Sequence, residues 1–376
     1  MSLSPKVLQW AASQVGKTYE SLVDGLAKRP ADRDRLLEGN ITSAQAAKIA
    51  SQTGVPFGFL FLKEPPQTIK PQLPDLRQTL TPAPLSQDFQ EAYEDALRKQ
   101  QWYLERLKDA DVASVQVVGK CQPSDPALKI ASDIISTLQI TPELRKQAKN
   151  AESYFGLLAQ RIEDLGILVM KTSIVRSNTR RSLSVKEFRG FAVADSLAPL
   201  VFINGGDAEV AAVFTLLHEL AHIWIGESAI SDLSMHDKSG SKIERLCNQV
   251  AADVLVPKEE LQSLWAGLAD VAPLALKFRV SRLVIARRAL SFGWISASDY
   301  AMVAEQSQPA KVKTGGGDPY LTIPVRNSKR LTKALIESAL SGETPIREAA
   351  GLLNIKPDTV MQLARKGVSN DRKVRH

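Results

Sequence analysis

The chain has 376 residues and a mass of 41.1 kDa, so we expect two or three domains rather than one. Hydrophobic residues make up 44% and charged residues 24%, a globular composition that excludes a mainly disordered chain. No apolar run is long enough for a transmembrane helix, and the N-terminus lacks the pattern of a secretory signal. Two distant cysteines, Cys121 and Cys247, make no disulfide framework. We therefore expect a cytoplasmic protein with no membrane contact.

The net charge of +7 is concentrated near the C-terminus. Residues 65–300 hold 27 Lys and Arg against 28 Asp and Glu, whereas residues 319–376 hold eleven against five. A basic end on a nearly neutral body favours a polyanion or an acidic protein as partner. A solvated basic tail explains the same charge and stays open.

Short amphipathic helices are predicted over residues 1–63 and fit a helix-turn-helix DNA-binding unit. Thr42 or Ser43 caps the helix that ends near Gln52. The apolar run FGFLFL (57–62) should dock on this bundle. Residues 64–85 are rich in proline and predict an extended linker.

A larger body is predicted over residues 86–304, with its core at about 150–260. Helical patterns cover 86–108, 126–138 and 142–163, and the last begins with Thr141 as cap and Pro142 in the first turn. Strand patterns occur at 166–170, 191–194 and 200–203, which predicts a small sheet beside a helix that starts near Asp207. The expected fold class is α+β and mostly α-helical.

A second linker is predicted over 305–319, followed by a small basic helical domain over 320–376. Its helical patterns cover 328–340, 345–353 and 356–364. A helix, a turn at Asn354 and another helix that opens at Pro357 again suggest a small helix-turn-helix.

The strongest chemical motif is HELAH at 218–222, within the helical segment AAVFTLLHELAHIWIG. Its spacing puts His218 and His222 on one helix face, one turn apart, which suits tetrahedral zinc. Glu219 then lies beside the metal and can accept a proton from the attacking water. Two surface histidines on an amphipathic helix are the alternative.

A catalytic zinc needs a third protein ligand, and Glu244 on the next helix is the best candidate. Asn248 shares a helix face with Glu244, and either Asn248 or Asp253 can support a histidine. His236 lies in a polar loop, as a rival ligand or as a group that faces substrate and stabilises an oxyanion. Cys247 is a softer rival, although its neighbours indicate a buried helix residue.

These motifs resemble the ImmA/IrrE-like metallopeptidases, in particular members fused to an N-terminal Xre-type helix-turn-helix. The resemblance is carried by RGFAVAD (189–195), LAPLVFINGGDA (197–208), FTLLHELAHIWIGES (214–228) and IERLCNQVAADVLVP (243–257). GVPFGFLFLKEPP (54–66) and LPDLRQT (73–79) resemble the junction between the two parts, and KFRVSRLVIARRALSFGWIS (277–296) resembles the closing helices. The C-terminal segment resembles extensions of the same subset.

The resemblance implies a gluzincin-like fold that binds Zn²⁺ through His218, His222 and Glu244, with Glu219 as catalytic glutamate. It also implies regulation in stress, phage or mobile-element responses, commonly by cleavage of a repressor. Fused members often act as antitoxins beside a small toxin such as a PIN-like nuclease, with the helix-turn-helix repressing the operon.

The interval expected to hold the DNA-recognition helix departs from that pattern. It is only RPADRDRL (29–36), short and interrupted by Pro30. Arg29, Arg33 and Arg35 can reach phosphates or a guanine edge, while neighbouring aspartates would repel phosphate. This departure weighs against specific DNA binding through the first unit, and the basic C-terminal helices are a second place for contact. Operator DNA stays a candidate partner and a homodimer a candidate state, because Xre-type units usually bind paired half-sites as dimers.

Two functions stay open. The first is a zinc metalloendopeptidase that cuts a regulatory protein. The second is an antitoxin or transcriptional repressor that neutralises a toxin by binding, with a structural or vestigial zinc site. Glu219→Gln separates them, since a structural zinc does not need Glu219.

Overall fold

The computed structural model describes residues 3–13, 18–27, 29–53, 55, 57–65, 85–231, 241–307 and 318–373. They divide into two compact units, and the division falls between Tyr93 and Glu94 inside one long helix. The fold is mostly helical with a small four-stranded sheet, which confirms the predicted fold class. None of the described helices is long and apolar enough to cross a membrane.

The first unit is a small helical bundle. Its helices are α1 (Pro5–Ser13), α2 (Tyr19–Asp24), α3 (Pro30–Leu37) and α4 (Ser43–Thr53), followed by a 3-10 turn at Phe57–Phe61. Their apolar faces bury one core, which includes Leu8, Leu22, Leu36 and Ile49. The interruption predicted at Pro30 is wrong, because Pro30 occupies the first turn of α3, where its missing N–H has no helical partner to lose.

The apolar run at 57–62 docks through one side chain only. Leu60 is fully buried, whereas Phe57, Phe59 and Phe61 are between 41% and 48% exposed. The expectation that this run docks on the bundle is confirmed, because the 3-10 turn packs on α1 and α4 and places Leu60 in the core, although its three phenylalanines are not buried. A single 3-10 turn is too short to bury more than one of its large side chains in the core.

Four helices precede the sheet in the chain, and the second unit begins within the first of them. They are α5 (Gln87–Asp109), α6 (Ala127–Leu138), α7 (Pro142–Gln147) and α8 (Ala151–Asp164). The predicted single helix over 142–163 is wrong, although its start is confirmed by the hydrogen bond from Leu144 N–H to the Thr141 hydroxyl. Asn150 caps a new helix, because its side chain and that of Ser153 form a capping box.

The sheet contains three of the predicted strands and one that the sequence pattern missed. Its strands are β1 (Leu168–Thr172), β2 (Gly190–Val193), β3 (Leu200–Asn204) and β4 (Ala229–Ser231), in the order β1-β3-β2-β4. β1 runs parallel to β3, and β2 runs antiparallel to both β3 and β4. β4 has three residues, too few to show a strand pattern.

One face of the sheet packs on α9 (Glu209–Ile225), and α10 (Lys242–Leu255) packs on α9 in turn. Shorter helices complete this part of the unit: α11 (Lys258–Leu264), α12 (Val271–Phe278), α13 (Arg282–Ser291) and α14 (Ala297–Gln306). They share one hydrophobic core with α6, α8, α9 and α10.

The C-terminal helices pack on the same unit. They are α15 (Pro319–Asn327), α16 (Lys329–Ser341), α17 (Ile346–Leu353) and α18 (Pro357–Lys373). α15 was not predicted as a helix. It lies against β1, while the Ser328 hydroxyl donates to the buried carboxylate of Glu163 (2.5 Å). The domain boundaries drawn from the sequence stay predictions.

Candidate metal centre

α9 carries the HELAH motif through the centre of the second unit. Every residue from Ala212 to Ile225 is buried. The carbonyls at its C-terminus are satisfied by a neighbouring loop, in which the N–H of Gly119 donates to Ile223 O (3.0 Å) and the N–H of Cys121 donates to Trp224 O (2.9 Å). Gly226 ends the helix at φ +72°, with the Cα of Gly119 3.1 Å from the place a Cβ would take.

The two histidines of the motif face the same point from successive turns of α9. Their Nε2 atoms are 3.3 Å apart, and both side chains are fully buried. The spacing of four residues produces this arrangement, since it returns the side chain to the same helix face one turn later. His218 and His222 are therefore not surface residues.

α10 brings Glu244 to the same point. One carboxylate oxygen lies 3.1 Å from His218 Nε2 and the other lies 3.1 Å from His222 Nε2. Ser241 caps this helix by accepting a hydrogen bond from the Glu244 N–H (3.1 Å). The cap fixes where α10 begins, so Glu244 lies in its first turn, where the positive end of the helix favours a carboxylate.

These three side chains suit a tetrahedral metal ion in both chemistry and spacing. They form a buried cluster whose donor atoms all lie within 4.8 Å of one another. Zinc bonds of about 2.0 to 2.1 Å place tetrahedral ligand atoms about 3.3 to 3.4 Å apart. The distances of 3.1 to 3.3 Å between the donor atoms of His218, His222 and Glu244 are close to that separation.

The protonation of the cluster also suits a cation. Burial raises the pKa of Glu244, but attraction and hydrogen bonds from the two histidines outweigh burial and lower the pKa to about 2. Burial lowers the pKa of His222, which favours the neutral imidazole that ligates metals. An ionised Glu244 and a neutral His222 are the forms that bind a metal cation.

Glu219 lies beside the two histidines on α9 and is also fully buried. Its carboxylate packs against β2 at Gly190, where a Cβ would lie 2.7 Å from Glu219 Oε1 and 2.9 Å from Thr215 Cγ2. Only glycine leaves room for this approach. Sequence reasoning missed Gly190, although it is the second residue of the RGFAVAD segment and the first residue of β2.

Asp253 has another partner than the histidine predicted for it. Its carboxylate pairs with the buried guanidinium of Arg288 (2.6 Å) and accepts from the Gln249 amide (3.0 Å). Arg288 also donates to the carbonyl of Val256 (3.2 Å), so Asp253 joins the end of α10 to α13. The predicted support of a histidine by Asp253 is wrong, because its position, nine residues after Glu244, places it at the other end of α10.

Asn248 is half-buried one turn after Glu244, and within the described residues its amide makes no hydrogen bond to either histidine. Its role towards histidine or substrate stays a prediction. Cys247 is fully buried, and burial raises the pKa of its thiol well above the ordinary value, so the thiolate that binds metal is disfavoured. His236 lies outside the described residues.

The arginines proposed for DNA contact lie around α3 in the first unit. Arg29 precedes the helix and is exposed. Arg33 pairs with Asp24 (2.8 Å), while Arg35 lies 4.0 Å from Asp32. Two of the three charges are thus partly neutralised within the unit itself.

The candidate metal cluster lies inside a stretch that matches a known family. Residues 162–290 match the IrrE N-terminal-like domain, Peptidase M78. The match runs from the end of α8 to α13 and confirms the ImmA/IrrE-like resemblance for the sheet and the HELAH helix. Residues 327–366 match a domain of unknown function, DUF8813, and no curated protein matches the chain.

Proposed function

We propose that the chain is a zinc-dependent metalloendopeptidase that cuts a regulatory protein. The observation that carries the proposal is the pairing of the His218, His222 and Glu244 cluster with Glu219 on the same buried helix. Three ligands complete a zinc site that keeps one position open, and a purely structural site has no use for a second carboxylate beside them. The match to an IrrE N-terminal-like peptidase domain supports the same chemistry.

Each residue has a defined part in peptide hydrolysis. His218, His222 and Glu244 would hold the zinc. Bound zinc supplies a Lewis acid, which makes water a better nucleophile and polarises the scissile carbonyl. A carboxylate oxygen of Glu219 accepts the proton of the attacking water and passes it to the amide nitrogen of the leaving peptide.

The packing around Glu219 suits this role. Its carboxylate is removed from bulk water and held between α9 and β2 by the close approach at Gly190. A general base held in a fixed position supports a faster reaction, because small displacements of the reacting groups lower the rate strongly. Gly190 and Thr215 act as positioning residues in this account.

The regulatory setting is part of the proposal. A helical bundle at the N-terminus and a basic helical segment at the C-terminus support a protein that also contacts operator DNA, in the cytoplasm. The alternative is a repressor that neutralises a toxin by binding alone. This alternative predicts that a variant without the Glu219 carboxylate neutralises the toxin as fully as the wild type does.

The experiment compares new protein N-termini in cells that produce the wild type, Glu219→Gln or Glu152→Gln. Mass spectrometry of labelled N-termini detects cleavage products even when the substrate is unidentified. Glu152 is an exposed residue of α8 and belongs neither to the metal cluster nor to the HELAH motif, so Glu152→Gln makes the same chemical change outside the proposed site. We expect new termini with the wild type and with Glu152→Gln.

Glu219→Gln should fold, retain zinc and yield none of these termini. The same termini at undiminished abundance in Glu219→Gln would contradict the mechanism. Toxin neutralisation by Glu219→Gln as strong as by wild type would assign that activity to binding rather than cleavage.

A further inference from the structure

The last three helices have the arrangement of a helix-turn-helix. α16, α17 and α18 pack on one another, and α17 and α18 are joined by a turn of residues 354–356. Asn354 adopts a left-handed conformation with φ +55°, and the N–H of Ile355 donates back to Ala350 O (2.9 Å). A short turn between two packed helices is the defining element of this DNA-binding motif.

Apolar side chains of α18 pack on α16 and α17, and another face of α18 is exposed to solvent. Val360, Leu363 and Ala364 are buried against α16 and α17. Asp358, Gln362 and Arg365 follow one another at intervals of four and three residues, so they lie on one helix face, and all three are exposed. The exposed face begins in the first turn of α18.

We propose that this C-terminal unit binds duplex DNA, with α18 as the helix that enters the major groove. In a helix-turn-helix the second helix of the motif reads bases with residues near its N-terminus. The exposed side chains suit that task. Arginine pairs with guanine, glutamine pairs with adenine, and a carboxylate accepts from the amino group of cytosine.

The unit also has the charge that phosphate contact requires. Residues 319–376 hold eleven basic and five acidic residues, and Lys356 and Arg347 are exposed near the two ends of α17. This excess of basic residues differs from the charge around α3 of the first unit, where Arg33 is paired with Asp24. Exposed cations near the turn can displace counterions from the DNA backbone, which gives affinity that depends on salt.

α15 holds part of the exposed face of α18 in place. The hydroxyl of Tyr320 donates to the amide oxygen of Gln362, and the ammonium of Lys366 lies 3.6 Å from the centre of the Tyr320 ring. The amide nitrogen of Gln362 keeps its two donors for a base. A side chain that is already oriented loses less entropy on binding.

Other surfaces attach these C-terminal helices to the rest of the second unit. Arg330 Nε donates to the hydroxyl of Tyr103 (2.7 Å), the Asn354 amide donates to Asp95 (2.8 Å), and the Ser177 hydroxyl donates to Asn354 O (2.7 Å). These contacts use α16 and the turn. They leave Asp358 and Arg365 uncovered, so a duplex can approach α18 without release of the unit.

The test uses the full chain and a fluorescein-labelled duplex of about 24 base pairs with randomised sequence, followed by anisotropy at about 50 to 200 mM salt. The variant Lys356→Ala with Arg365→Ala should bind at least about tenfold more weakly at low salt, and its salt dependence should fall by about one to two counterions. The control is Lys329→Ala with Lys333→Ala, which removes two exposed cations from α16. It should bind within about twofold of the wild type.

Several results would overturn the proposal. These are absence of duplex binding by the wild type, equal losses in the two double variants, stronger competition by single-stranded RNA than by duplex, or loss of binding on Arg29→Ala with Arg33→Ala instead. Selection from a randomised duplex library adds a second readout. Gln362→Ala should change the selected bases while circular dichroism shows an unchanged melting curve, and an unchanged selection would remove α18 from base recognition.

Discussion

Gly190→Ala should separate catalysis from metal binding, because the atoms nearest to an added Cβ belong to the proposed base Glu219 and to Thr215. A Cβ there would lie 2.7 Å from Glu219 Oε1, where ordinary contacts begin at 3.4 Å. The carboxylate must therefore retreat by about 0.7 Å, or β2 must move by a similar amount. Displacements near 1 Å cost roughly a hundredfold in rate, and overpacking costs about 1 to 3 kcal/mol in the free energy of unfolding.

Three measurements characterise Gly190→Ala. New N-termini in cells report proteolysis, native mass spectrometry reports zinc content, and urea denaturation reports the free energy of unfolding. We expect proteolysis to fall by about a hundredfold while zinc content stays at the wild-type value. Gly156→Ala is the matched control, because Gly156 lies in α8 with no atom within 4 Å of an added Cβ. It should be fully active and more stable by about 0.5 to 1 kcal/mol.

A double variant distinguishes the two contacts of the new methyl group. Thr215→Ser removes the methyl that would lie 2.9 Å from the added Cβ and keeps the hydroxyl that donates to Ala211 O (3.0 Å). Added to Gly190→Ala, it should recover stability without recovering proteolysis. If Gly190→Ala is as active as Gly156→Ala, Glu219 is not held against β2 as described.

The remaining predictions concern the helix cap, the buried ion pair and the first unit. Ser241→Ala and Ser296→Ala each remove a helix cap and should cost about 1 kcal/mol, but only Ser241→Ala should also weaken zinc affinity in competition with a chelator. Asp253→Asn should destabilise the protein by about 3 to 5 kcal/mol in urea with zinc content unchanged, because it leaves Arg288 buried without its charge partner; zinc loss in the folded variant would restore a role at the metal. Burial raises the pKa of Tyr19 to about 12, because it disfavours the ionised hydroxyl in the folded state. The neutral Tyr19 hydroxyl therefore makes its full contribution to the free energy of unfolding below about pH 10, and this contribution is lost as the pH rises towards 12. Tyr19→Phe should remove about 1 to 1.5 kcal/mol of the stability lost between pH 8 and pH 11, seen as urea curves at these two pH values that differ less than those of the wild type.

The sequence predicts the two candidate histidine ligands because their chemistry is local. Histidines four residues apart on a helix must share a face, and the apolar residues around them predict that the helix is buried. Glu244 was harder, since its approach depends on how two helices pack. It was found through the helical pattern around it and through the family resemblance.

What the sequence pattern missed depends on contacts across the fold. Asp253 looks like a candidate for second-sphere support until α13 brings Arg288 to it, and no local pattern reveals that pair. Gly190 is required by an approach between β2 and Glu219 that exists only after the sheet packs on α9. β4 has too few residues to show a period, and Pro30 looks like a break although it also suits the first turn of a helix.

The zinc content of the purified chain tests the central claim most directly. Native mass spectrometry of the wild type should find about one zinc ion per chain, and Glu244→Ala should lose it or hold it far more weakly, because two histidines alone leave the site without its carboxylate. Glu152→Ala, which removes an exposed carboxylate from α8, should keep the wild-type content. A wild type that takes up no zinc when the metal is supplied, or a Glu244→Ala variant that binds it as tightly as the wild type, would contradict the three-ligand site and the peptidase built on it.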